Sequence, residues 1–241
     1  MLIAGCSHTA GSEIDGTEDS KYNRLHSYGG ILAQMMGYTP INIAEPGSTN
    51  TTIARTVLDW FKTQYNPESM EVFVVVGWTE STRMEVPSER THWYDHYCKH
   101  WDFYSLPSRD YWRINLGWHG GDPEEKELIP RYHKFIAENE RYLEIVSANA
   151  ALQIQYLLKS LNVDYVMCNT MHMFTENKHT DFYIGCIDQT KYLNVLDNDK
   201  AFYWYYRNLG YENPRAKYWH HNEIPHELFA KELKHFIESN K

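Results

Sequence analysis

The chain has 241 residues, enough for one large α/β domain with a substantial buried core. Its 23 Lys and Arg stand against 32 Asp and Glu, a formal charge of −9. A field of that sign argues against nucleic acid or an anionic membrane surface as partner, because both need a basic face.

Taken in order, Leu2-Ile3-Ala4-Gly5 predicts a short buried strand that ends in the polar, glycine-flanked turn Cys6–Gly11. Ser27 to Met36 has helical character, with Tyr28, Ile31, Leu32 and Met35 on one face and Gly37 as the stop. Pro40 to Ala44 predicts a second strand, followed by the turn Glu45-Pro46-Gly47-Ser48. Thr49 or Asn50 can cap a helix over Thr52–Tyr65, whose apolar face is Ile53, Val57, Leu58 and Phe61. Val72 to Val76 is an uninterrupted β-rich run, the pattern of a strand covered on both faces. Helical periodicity runs from about Arg131 to Leu161, and Val163 to Cys168 predicts a fourth strand. The segment 183–200 fits a fifth short strand or a helix, and His226 to Ile237 a closing amphipathic helix. Strands alternating with helices imply a three-layer α/β/α domain with a parallel sheet of about five strands.

Residues 85–130 break the rhythm, with aromatics from Trp93 and Tyr94 to Trp112 and Trp118. With no aliphatic core of their own, they read as an insertion in a single domain spanning 1–241. Their rings either line a sugar or acyl pocket or form a subunit interface, which would make the protein a homo-oligomer. His92, His96 and His100 repeat at four-residue spacing, yet aromatics interleave them, so the reading here is no metal site. Cys6, Cys98, Cys168 and Cys186 have no paired spacing and read as free thiols of a reducing compartment. Met1–Cys6 superficially matches a lipoprotein cleavage box, but no basic region or apolar stretch precedes it. Without a signal peptide the expected location is cytoplasmic or, for a viral protein, the host cytoplasm or the virion.

Ser7 is the most informative position. A serine just past the carboxyl end of the first parallel strand occupies the crevice where such sheets place ligands. Taken alone, it reads more readily as a loop serine capping the next turn. Four segments in chain order bear on that choice. Gly5-Cys6-Ser7-His8-Thr9-Ala10-Gly11 resembles the Gly-Asp-Ser block of the SGNH hydrolases, the GDSL-type esterases and lipases. Pro46-Gly47-Ser48-Thr49-Asn50 is similar to that family's second block, and Val75-Val76-Gly77-Trp78-Thr79-Glu80 to its third. His220-His221-Asn222-Glu223-Ile224-Pro225-His226 resembles the last block, with His220 in the position of the catalytic histidine. Compact versions of this kind resemble hypothetical bacteriophage proteins.

The resemblance implies a serine ester hydrolase in which Ser7 attacks an ester carbonyl and His220 moves the proton. The oxyanion would be held by Ser7 N–H, Gly47 N–H and a side chain from Asn50 or Thr79. No cofactor or metal is implied. The expected substrate is a small or carbohydrate ester, an O-acetyl sugar by preference. Three departures from the family's pattern stand out: Cys6 replaces the block I aspartate, Thr79 the block III asparagine, and Lys217 the acid three residues before His220. Lys217 offers donors only, so His220 should be oriented by a backbone carbonyl or by a carboxylate from elsewhere in the chain, with Lys217 pointing into solvent. Two alternatives remain at this point: Cys6 as a thiol nucleophile, and a catalytically degenerate fold serving as a binding or structural module.

Overall fold

In the computed structural model, β1 (Leu2–Gly5) lies inside a five-stranded sheet with β2 (Ile41–Asn42), β3 (Phe73–Trp78), β6 (Asp164–Asn169) and β7 (Tyr192–Leu193). The structure describes residues 1–87, 111–114 and 140–240, with residues 127, 130, 131, 134 and 136 between the last two stretches. All four pairings in the order β2-β1-β3-β6-β7 are parallel. Parallel strands must be joined by crossovers, and the helices that provide them cover both faces.

The alternation of side chains along the two central strands builds both outer layers. Leu2, Ala4, Val74, Val76 and Trp78 face one core, which holds Ile53 and Val57 of α4 (Asn50–Thr63) and Ile154 and Leu158 of α5 (Glu140–Ser160). Ile3, Phe73 and Val75 face the other. There they meet Tyr28 and Leu32 of α3 (Tyr28–Met35), Phe202 of α7 (Phe202–Asn208), and Phe229 and Leu233 of α8 (Glu223–Ser239). Burial on both faces explains why β1 and β3 read as unbroken apolar runs rather than alternating ones. The fold is therefore three-layer α/β/α.

Side-chain oxygens start the helices that matter here. Thr49 Oγ1 accepts from Thr52 N–H at 3.0 Å, Ser27 Oγ from Gly30 N–H at 3.2 Å, and Asn222 Oδ1 from Ile224 N–H at 3.1 Å. Where β1 and β3 end, Gly5 pairs with Gly77. A Cβ at either would collide with Thr9 Oγ1, which shares a buried 2.8 Å hydrogen bond with the Tyr28 hydroxyl. The paired glycines thus let the segment after β1 fold back tightly over the sheet edge.

Several local details differ from the sequence expectation. The turn after Gly5 contains a one-turn helix, α1 (Ser7–Ala10), closed by Gly11 at φ 74°. A second short helix, α2 (Lys21–His26), is capped by Ser20 and lacks an apolar stripe that would reveal it. The ambiguous segment holds both candidates, with α6 (Asp181–Cys186) preceding β7. Within the span of the aromatic insertion, β4 (Met84–Pro87) and β5 (Tyr111–Ile114) pair antiparallel as a separate ribbon. Glu85 ties that ribbon to α4 by accepting from Thr52 Oγ1 at 2.6 Å and Arg55 at 2.8 Å. His92, His96, His100, Cys98 and most of the insertion's aromatics lie outside the described residues, so the pocket and interface readings rest on sequence. Among the described residues, no helix is long and apolar enough to cross a membrane.

Candidate active site

The topology places the loops after β1, β2 and β3 side by side at the carboxyl edge. The chain leaves β1 toward β2 on one side and returns to β3 on the other, which makes the crevice a topological switch point. Glu45 N–H donates to Gly5 O at 3.0 Å and locks the second loop against the first. Ser7, Gly47, Asn50 and Thr79 all belong to this loop cluster or to the helix starts that follow it.

Ser7 is the first residue of α1 and is 8% exposed. Cys6, rather than Ser7, is the N-cap, and the Ser7 hydroxyl makes no hydrogen bond among the described residues. The capping explanation for this serine is therefore removed. Cys6 is fully buried with its Sγ 3.3 Å from Thr170 Oγ1, which makes it a poor nucleophile.

His220 arrives from the far end of the chain. It lies two residues before the N-cap of α8, 9% exposed, and its ring centroid is 4.9 Å from that of His8, the neighbour of Ser7. Its Nδ1 is 2.6 Å from Glu13 Oε2, while Nε2 has no hydrogen-bond partner among the described residues. The orienting group is thus a carboxylate from elsewhere in the chain, of the two kinds anticipated. Lys217 is exposed, with its ammonium 5.0 Å from the centre of the Tyr218 ring.

Glu13 itself is 2% exposed. Its Oε1 accepts from Lys217 N–H at 2.7 Å, and its Oε2 accepts from Tyr218 N–H at 3.0 Å as well as facing His220. Burial pushes its pKa up, but the bonds from His220, Tyr218 and Lys217 outweigh that and hold it below the ordinary glutamate value. Sequence reasoning missed this residue. Glu13, Asp15, Glu18 and Asp19 crowd one polar loop, and no spacing distinguishes the first from the rest.

The oxyanion candidates differ in what they have left to give. Asn50 donates both amide hydrogens, to Thr79 O at 3.1 Å and Ser147 Oγ at 3.0 Å, and its Oδ1 accepts from Thr79 N–H at 2.9 Å. It clasps the end of β3 and has no spare donor. The Thr79 hydroxyl, fully buried, has no hydrogen-bond partner among the described residues. Gly47 sits at φ 73°, a conformation that favours glycine, in the turn after β2.

Three more histidines surround the site in supporting positions. His8 is buried beside Tyr203 and His220, at 4.9 Å from each ring centre. Burial, reinforced by His220, His221, Arg83 and His226, lowers its pKa well below the usual value. His226, also pushed far down by burial and by His221 and His220, accepts from Tyr28 N–H at 3.1 Å through Nδ1. The two ring nitrogens of His221 face carbonyl oxygens of Tyr211 at 2.6 Å and Tyr203 at 3.0 Å. Among the described residues no group of three or more His, Cys, Asp or Glu is arranged to hold a metal.

No protein-family model matches the chain, and no curated protein matches it in sequence. Two solved structures are similar to it. One is of a carbohydrate esterase whose active site displays divergent catalytic and non-catalytic binding functions (TM-score 0.46, 10% identity, covering 99% of this chain and 64% of that one). The other is a carbohydrate esterase family 2 enzyme with a carbohydrate-binding domain from Corynascus thermopiles (Myceliophthora fergusii), with TM-score 0.47 and 13% identity over 99% of this chain and 65% of that one. The chain thus spans a little under two thirds of the length of either.

Proposed function

We propose that the chain is a serine ester hydrolase of SGNH type acting on a small or carbohydrate ester, by preference an O-acetyl sugar. The observation that carries this reading is His220, a buried histidine beside the nucleophile's helix with Nδ1 engaged by a carboxylate and Nε2 uncommitted. The order of the four sequence blocks supports it independently.

The chemistry uses only side chains and backbone. Ser7 Oγ forms a bond to the ester carbonyl carbon while its proton passes to His220 Nε2, and the carbonyl π pair moves onto oxygen. Ser7 N–H, Gly47 N–H and the Thr79 hydroxyl stabilise that oxyanion. Its collapse breaks the carbon–alkoxide bond, and the leaving alcohol takes the proton from Nε2. A water, deprotonated by His220, then releases the acid and restores Ser7.

A fluorophosphonate probe followed by mass mapping tests the proposal: label on Ser7 is the expected result, and label elsewhere or nowhere overturns it. The second reading, a degenerate fold that binds without hydrolysing, draws on Asn50, whose amide donors are both spent. It predicts ligand binding with no acyl transfer to Ser7.

A further inference from the structure

The four blocks leave the hydrolase without an acid, because the position three residues before His220 is Lys217. We infer that Glu13 is the positioning acid of this site: it holds His220 as the Nδ1–H tautomer with Nε2 free for Ser7, and stabilises the imidazolium that forms during attack. The inference rests on the roles proposed for Ser7 and His220 and adds a residue that none of the blocks contains.

Three observations carry it. The first is the bond itself, 2.6 Å between two buried side chains that are 207 residues apart in sequence. The second is the carboxylate's own fixation. Lys217 and Tyr218 lack an acidic side chain, but their backbone N–H groups hold Glu13 at 2.7 and 3.0 Å. The segment that has lost its carboxylate thus grips one supplied from across the fold. The third is the backbone at both ends of the bond. Glu13 has φ 65° and Trp219, just before His220, has φ 63°, a left-handed region unusual for residues other than glycine. Glu13 is kept there by its N–H to Thr17 O at 2.9 Å and by donors on its carbonyl from Asn213 Nδ2 at 2.9 Å and Gly16 N–H at 3.0 Å. Unfavourable conformations persist where surrounding structure over-determines them, and they concentrate at working sites.

The proton balance is simple. Nδ1–H stays on His220 throughout, the Ser7 proton travels to Nε2 and onward to the leaving alcohol, and Glu13 remains ionised. Its role is to place the ring and to balance a charge that exists only part of the time.

The test has a spectroscopic arm and a kinetic arm, both on the full chain. In wild-type protein, 15N spectra of neutral His220 should show Nδ1 protonated and Nε2 bare. The opposite tautomer overturns the inference whether or not any ester is hydrolysed. Glu13→Gln should lower kcat on a short-chain nitrophenyl ester by roughly 10³- to 10⁴-fold, with KM changed by less than about threefold. Glu13→Asp, which keeps a carboxylate, should recover part of that loss. A folded Glu13→Gln variant with unchanged kcat and normal Ser7 labelling sinks the inference and leaves the hydrolase standing. If Glu13→Gln does not fold, the wild-type tautomer and the kcat of Glu13→Asp decide. A wild type that neither labels at Ser7 nor turns over esters removes both.

Discussion

Asn50 and Glu13 are both buried polar side chains that tie one segment to a distant one at the carboxyl edge, yet they end differently. Every hydrogen-bonding atom of the Asn50 amide is used within the fold, on Thr79 and Ser147. Glu13 is equally well held, but one of its bonds passes to a histidine whose second nitrogen has no partner among the described residues. A closed polar network specifies structure, whereas a network ending in an uncommitted proton acceptor can do work on a ligand. The contrast separates two residues that equal burial and similar polarity would put in one class.

The largest loss is expected at Ser7, the proposed nucleophile. Ser7→Ala should lower nitrophenyl ester hydrolysis by about 10³-fold or more, as loss of one member of a catalytic unit does. Equal initial rates for variant and wild type would mean that general surface reactivity accounts for turnover, and the open network would then have no function to serve.

Acid should strain the cluster next. His8 and His226 have pKa values held well below 6.5 by burial, so below that pH the unfolded chain binds protons that the folded one refuses. Stability must therefore fall as pH drops through 6.5, by up to about 1.4 kcal/mol per pH unit for each histidine. Glu13 acts at lower pH: its folded pKa lies below 4.5, so its contribution is complete above 4.5 and disappears as pH falls through the depressed value. Urea titrations at stepwise pH should resolve two phases, and a flat profile between pH 7 and 5 would contradict the buried neutral histidines.

Asn50→Ala opens the closed network. It strands the Thr79 N–H and carbonyl, and should cost about 2 kcal/mol in chemical denaturation. Activity per folded molecule should change by less than about tenfold. A large loss of kcat with intact stability would instead put the Asn50 amide in the oxyanion hole. The smallest effect belongs to Lys217→Asp. The sequence alone suggests that this change restores a missing acid and raises activity. With Glu13 already on Nδ1, the expected gain is less than about twofold, and a tenfold increase would show that Glu13 is not the acceptor in use.

What the sequence disclosed follows from how local each signal is. β1 and β3 were legible because burial on both faces leaves unbroken apolar runs, and α4 because Thr49 caps an apolar stripe. Ser7 and His220 were singled out through the chain order of short motifs at strand ends, and their proposed roles rest on that order and on the Glu13–His220 bond. α2 carries no apolar stripe, whereas the aromatic run 203–206 reads first as core, in keeping with the burial of Tyr203 and Tyr206 in α7. Glu13 lay beyond reach for a different reason. Its role is defined by atoms at Lys217, Tyr218 and His220, and a left-handed glutamate in a polar loop leaves no periodic trace.

The span of the Glu13–His220 bond also has a meaning in time. Ribosomes add about 5–20 residues per second, so the 207 residues between its two ends take roughly 10–40 s to make. Throughout that interval Ser7 and Glu13 have been synthesised and the histidine has not. Closure must then wait for α8 to dock on the sheet, because His220 sits just ahead of its cap. On the proposed roles, Ser7 therefore has no histidine partner until α8 docks, and the Nδ1 proton of His220 would report that docking.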